Sequence, residues 1–126
     1  EGDRVAYHAA LAHGSNHLVV LVSQVLAILD SIGVDDPSLL VSPLLQASLE
    51  EVLRRGPGAL TGPVRRGDAG TVGNHLAALT ELDLGSTLPT YRALARAALD
   101  MAPIGDADKA ALELLLARDN ETRQET

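Results

Sequence analysis

From Arg4 to Ile32 the chain offers Ala, Leu and Val almost without interruption, with one Gly and no Pro. The stretch predicts a single helix of about 28 residues, roughly 40 Å long. Its second half, Leu18-Val19-Val20-Leu21-Val22 followed by Val25-Leu26-Ala27-Ile28-Leu29, is apolar nearly all round. A helix of that kind is either covered by others on most sides or lies in a subunit interface. Gly33 suits a left-handed C-terminal cap. Asp35-Asp36-Pro37 then reads as a new start, with Asp36 as N-cap and Pro37 in the first turn. Ser42-Pro43 offers a second start. Either one helix bends at Pro43 or a short turn precedes a helix from Pro43 to Arg55. Leu45, Leu49, Val52 and Leu53 give this segment one stripe expected to be buried, and Gly56 ends it.

Gly56 to Gly67 holds four Gly and two Pro, too much punctuation for regular structure. Asp68 can cap a third helix with a stripe of Val72, His75 or Leu76, Leu79 and Leu82. Ser86 or Thr87 can cap a fourth, with Leu88, Tyr91, Leu94, Ala95, Ala98, Leu99 and Ala102 inward and Pro103 and Gly105 as its stop. Asp106 can cap a fifth, Ala107 to about Arg118, with Ala111, Leu114 and Leu115 inward. No alternating β-branched run occurs. The expected fold is all-α, about five helices around one long apolar helix. Residues 1–118 form one helical domain, and 119–126 form a polar tail.

Composition narrows the function. The 126 residues carry a net charge of −7, and aromatic residues are 2% of the chain. A nucleic-acid partner is not expected, because phosphate binding needs clustered Lys and Arg and base stacking needs aromatic rings. Cysteine is absent, which excludes disulfides, thiol nucleophiles and zinc ribbons. The apolar run Leu18–Leu29 falls short of the ~18–20 residues that span a bilayer, and no signal peptide is visible. No membrane partner is expected, and the expected compartment is the cytoplasm.

Three places carry candidate chemistry. His8, Ser15 and Asn16 sit about two helical turns apart on a broad face of the first helix, where polar groups amid Ala can line a pocket or simply face water. His13 and His17 are four apart, a spacing that can put two imidazoles on one metal. No third ligand is evident and His-Glu-x-x-His is lacking, so no metal is expected. Thr61-Gly62-Pro63 followed by Arg65-Arg66-Gly67-Asp68 combines permissive glycines, a hydroxyl and fixed positive charge suited to a carboxylate or phosphate. The bland alternative is a connecting loop ending in a cap at Asp68. Neither a phosphate-binding Gly-rich loop nor a Gly-x-Ser-x-Gly elbow occurs.

Three stretches together carry a resemblance. They are Tyr7-His8-Ala9-Ala10 with Ser15-Asn16; Ala59-Leu60-Thr61-Gly62-Pro63 with Arg66-Gly67-Asp68, Val72 and His75-Leu76; and Tyr91-Arg92-Ala93-Leu94-Ala95. From about Val5 to Ala102 the chain resembles the helical C-terminal half of bacterial Rossmann-like oxidoreductases, a half catalogued as a domain of unknown function. The wider relatives are the 6-phosphogluconate dehydrogenase C-terminal-like domains, among them ketopantoate reductase, pyrroline-5-carboxylate reductase and hydroxyisobutyrate dehydrogenase. The resemblance implies a preceding domain, absent from this chain, that binds NADP or NAD, and a substrate-binding and dimerisation role for this one, inactive by itself. On this reading Asn16 and His8, the one candidate acid on that face, are catalytic and Ser15, Thr61 and Arg66 bind substrate, with a small carbonyl or imine as substrate and a homodimer as assembly. Relatives commonly carry a Lys and an Asn four apart on the first helix. Asn16 matches, but Ala12 stands where the Lys would be, and Glu51 stands where an Asn is expected. A helical dimerisation module of a dinucleotide sensor is the alternative function.

Overall fold

A computed structural model describes residues 2–117; the tail expected at 119–126 lies outside them. The fold is all-α, with five helices, one of them a long apolar N-terminal helix, and no strand among the described residues. Two compact units divide the chain, residues 1–41 and 42–126.

In the first unit, α1 runs Gly2–Ser31. It ends where the local sequence requires. The Gly33 N–H donates to the Asp30 carbonyl at 3.0 Å and the Val34 N–H to the Leu29 carbonyl at 3.0 Å. This is the paired closure of a Schellman cap, and it needs a left-handed residue at Gly33, whose φ is +86°. No residue of α1 is buried, and Val19 is 66% exposed. By length and composition α1 could also cross a bilayer, further than its twelve-residue apolar core indicates, because Ala and Leu continue on the N-terminal side.

Helix α2 spans Pro37–Arg55 with Pro43 inside it, so the single-helix reading holds. The boundary between units falls just before Pro43, where the proline removes one helical N–H. The Leu39 N–H reaches Asp36 Oδ1 at 3.4 Å, a long cap. The stripe Leu45, Leu49, Val52 and Leu53 is not a buried face: α2 has no buried residue and Leu53 is 79% exposed.

The second unit has a true core. A 3₁₀ turn at Gly56–Ala59 leads through a folded loop to α3 (Ala69–Leu82), α4 (Thr87–Met101) and α5 (Asp106–Leu116). Val72 and Leu76, Ala95 and Leu99, and Leu112 and Leu116 are buried together with Val64. Each helix thus supplies one pair spaced four residues apart, the spacing that stacks side chains on one face. Burying each of the larger ones is worth about 1.5–3 kcal/mol. The expected phase of α5 is corrected: Leu112 and Leu116 point inward, while Ala111 and Leu114 are exposed. On α4, Leu94 is exposed whereas Thr87 and Arg92 are buried. The N-cap of α5 is Gly105, with Asp106 as its first helical residue.

Arg92 explains how α5 is held. Its Nη1 donates to the carbonyls of Leu115 at 3.2 Å and Leu116 at 3.3 Å, and Arg96 Nη1 donates to the Leu116 carbonyl at 2.9 Å. These are the acceptors a helix C-terminus leaves unpaired, at the negative end of its dipole. Replacing Arg92 by Ala takes the guanidinium from the Leu115 carbonyl, leaves the Leu116 carbonyl to Arg96 alone and opens space in the core. Arg92→Ala is expected to destabilise the second unit by about 2–4 kcal/mol, read as a lower urea midpoint, with Arg96→Ala costing clearly less.

Candidate functional site

The expected site residues fall on two units, and each group is described by itself. On α1, His8, Ser15 and Asn16 are all exposed. The Ser15 hydroxyl donates to the Leu11 carbonyl at 2.7 Å, so it is partly engaged by its own helix. The rings of Tyr7 and His8 lie with centroids 6.0 Å apart. Eight residues separate His8 from Asn16, about 12 Å of helix rise. Both side chains lean toward the helix N-terminus, so the separation persists. The two side chains therefore cannot meet on one atom.

Thr61 and Arg66 belong to the second unit, on a loop that is itself structured. Gly62 has φ +94° and Gly67 φ +69°. The Arg66 N–H donates to the Gly62 carbonyl at 3.3 Å, and the Asp68 N–H to the Pro63 carbonyl at 2.9 Å. Val64 anchors the loop in the core. Thr61 and Arg66 are exposed on it, so the loop offers a hydroxyl and a cation from a folded base.

Asp68 caps α3 as its sequence predicts. Its Oδ1 accepts from the Thr71 N–H at 3.0 Å and its Oδ2 from the Thr71 hydroxyl at 2.6 Å. The Thr71 hydroxyl, then the Thr71 N–H, hold the Asp68 carboxyl below its ordinary value of 3.8, and the fields of Arg66 and His75 add to this.

One pairing was not visible in the sequence. His75 Nδ1 and the Tyr91 hydroxyl lie 2.9 Å apart, with the rings edge to face at 5.9 Å. They are sixteen residues apart on different helices, so no local pattern announces the contact. His75 is exposed and Tyr91 half-buried; burial pushes the Tyr91 phenol up, which keeps its proton on. With one ring nitrogen held by Tyr91, the imidazole plane of His75 is oriented and Nε2 remains to act outward. Asp68, Thr71 and His75 share one side of α3, at spacings of three, four and seven. A shallow cavity of about 330 Å³ lined by Arg96, Ala97, Leu99, Asp100 and Glu113 includes none of these residues. Among the described residues no group of three or more His, Cys, Asp or Glu is placed to hold a metal.

Two outcomes follow for the loop. A Cβ at Gly67 would lie 2.8 Å from Asp108 Oδ2 on a left-handed backbone, so Gly67→Ala is expected to cost at least about 1–2 kcal/mol, measured by denaturant unfolding. For Asp68 the folded pKa is depressed. Its stabilising contribution is present in full above about pH 4 and is lost as pH falls through the lower, folded value. Asp68→Asn should therefore show a shallower loss of stability between about pH 4 and pH 2 than the parent chain; parallel curves would contradict this.

No curated protein and no solved structure matches the chain. The family described as a domain of unknown function, DUF2520, matches residues 1–98. That match takes in α1, α2, the folded loop, α3 and most of α4, and it stops short of α5. It includes every site residue considered above, from His8 to Tyr91, and so most of the chain's candidate chemistry. The chain belongs to the DUF2520 family.

Proposed function

We propose that this chain is the substrate-binding and dimerisation domain of an NAD(P)-dependent oxidoreductase acting on a small carbonyl or imine, a reaction class that includes ketopantoate reduction. The observation that carries the reading is α1: thirty residues long with none buried, polar at His8, Ser15 and Asn16 and then apolar. Such an element is made to be covered by another body, with its polar part left to line a cleft. NADP or NAD, held mainly by a partner domain, would supply the hydride. His8 would move a proton at the reacting centre. Ser15 and Asn16, two turns further on, would orient the remainder of the substrate or the nicotinamide. Thr61 and Arg66, joined by the oriented imidazole of His75, would hold an anionic group.

A second reading is a non-catalytic dimerisation module of a dinucleotide-sensing protein. Ala12, standing where relatives of the wider superfamily carry Lys, favours it. The test is an assay of the longer protein, including its dinucleotide-binding domain, with NADPH and a panel of 2-keto acids. Turnover is expected, and His8→Ala should lower it roughly 10²–10⁴-fold with a smaller effect on cofactor affinity. Cofactor binding without turnover on any substrate would establish the sensor instead.

The dimer has its own test. Leu18, Val19, Val20 and Leu21 are all exposed and girdle the helix with apolar surface of the kind monomers rarely leave to water. Pairing about a two-fold axis would cover one face of it. Sedimentation at micromolar concentration should give a particle near twice the 13.2 kDa chain mass, and Val19→Glu should return it to the monomer. A parent chain that sediments as a monomer sinks the dimer.

A further inference from the structure

We propose that His13 and His17 form a two-imidazole site for a divalent late first-row transition metal on α1. Their spacing alone left this open, because it says nothing about rotamers. In the structure the rotamers converge: the two Nδ1 atoms lie 2.6 Å apart, with the rings edge to face and centroids 4.9 Å apart. Both residues are exposed. The helix runs unbroken on both sides of the pair, which fixes the backbone spacing before any ion arrives.

Without an ion, a contact this short requires a proton between the nitrogens, carried by one and accepted by the other. A metal replaces that shared proton. Each imidazole then presents its Nδ1 lone pair to the ion and carries its proton on Nε2; between two neutral rings the proton displaced from Nδ1 is matched by the one taken up at Nε2, and no net proton is released.

Geometry selects the ion. With metal–nitrogen distances of about 2.0–2.1 Å, two nitrogens at right angles stand about 2.9 Å apart, and two at a tetrahedral angle about 3.3–3.4 Å. The pair must open by about 0.3 Å for the first and about 0.7–0.8 Å for the second. Tetragonal Cu²⁺ and Ni²⁺ are therefore favoured over tetrahedral Zn²⁺, in the same sense as the intrinsic affinity order for copper. Because the described residues hold no cluster of three or more ligating side chains, this chain supplies two ligands and leaves the other positions to water or to a second molecule. The inference does not depend on the oxidoreductase reading.

The test is calorimetric titration of the tag-free chain with CuSO₄, NiCl₂ and ZnCl₂ at pH 7.5. The parent, His13→Ala, His17→Ala and the double variant are compared. All other histidines remain in every variant and set the background. Both single variants should lose roughly 10²-fold in Cu²⁺ affinity, the loss expected when a chelating pair becomes a single ligand. Ni²⁺ should bind more weakly than Cu²⁺, and Zn²⁺ more weakly still. One ion per chain, or one per two chains with four imidazoles shared, both support the site. Ala has the highest helix propensity, so helicity by circular dichroism should be retained in the variants. A parent chain that binds Cu²⁺ no more tightly than the double variant overturns the proposal.

Discussion

Val72 with Leu76, Ala95 with Leu99, and Leu112 with Leu116 are one device used three times: two apolar side chains a turn apart on one face of a short helix. None of the three helices exceeds fifteen residues, a length at which isolated helices are marginal in water. Each is therefore stable only as part of the set. Val64 extends this core into the preceding loop, and Arg92 extends it to the end of α5, where it satisfies carbonyls the helix cannot satisfy for itself. The loop's shape, the capping of α3 and the His75–Tyr91 contact all follow once these side chains are in place.

The first unit obeys a different constraint. Helix α1 is long enough to persist as a helix, and its C-terminus is closed by local bonds at Gly33 and Val34. What it lacks is burial. Val and Ile in its second half lower intrinsic propensity, so those residues make sense only if their side chains gain something by being covered. An apolar helix with no buried residue is incomplete as a single element. Covering its apolar half would draw on the same hydrophobic term that closes the second unit.

Features set by nearby residues were readable in the sequence. Gly33, Gly56 and Asp68 behave as their chemistry requires, because caps depend on a few consecutive residues. Helix phase was harder. In Ala110-Ala111-Leu112-Glu113-Leu114-Leu115-Leu116 nearly every position is apolar, so several stripes fit and only packing against α3 and α4 chooses Leu112 and Leu116. Arg92 was missed for a related reason. A guanidinium is buried only where acceptors await it, and those acceptors are backbone carbonyls more than twenty residues away. The same holds for His75 and Tyr91. Each stood out as part of a motif, and neither motif says that the rings meet.

The candidate site illustrates the limit most clearly. Composition marked the stretch from Thr61 to Asp68 as a loop fit for an anion, but a loop serves as a binding element only if something holds it still. Here Val64, the two turn bonds from Arg66 and Asp68, and the Thr71 contacts do so. His8 and Asn16 are held by helix backbone alone, at a separation that keeps them from sharing one atom. Whatever covers the apolar half of α1 must also set where its polar half stands, so the hydrophobic surface that completes the fold is a condition of any chemistry performed beside it.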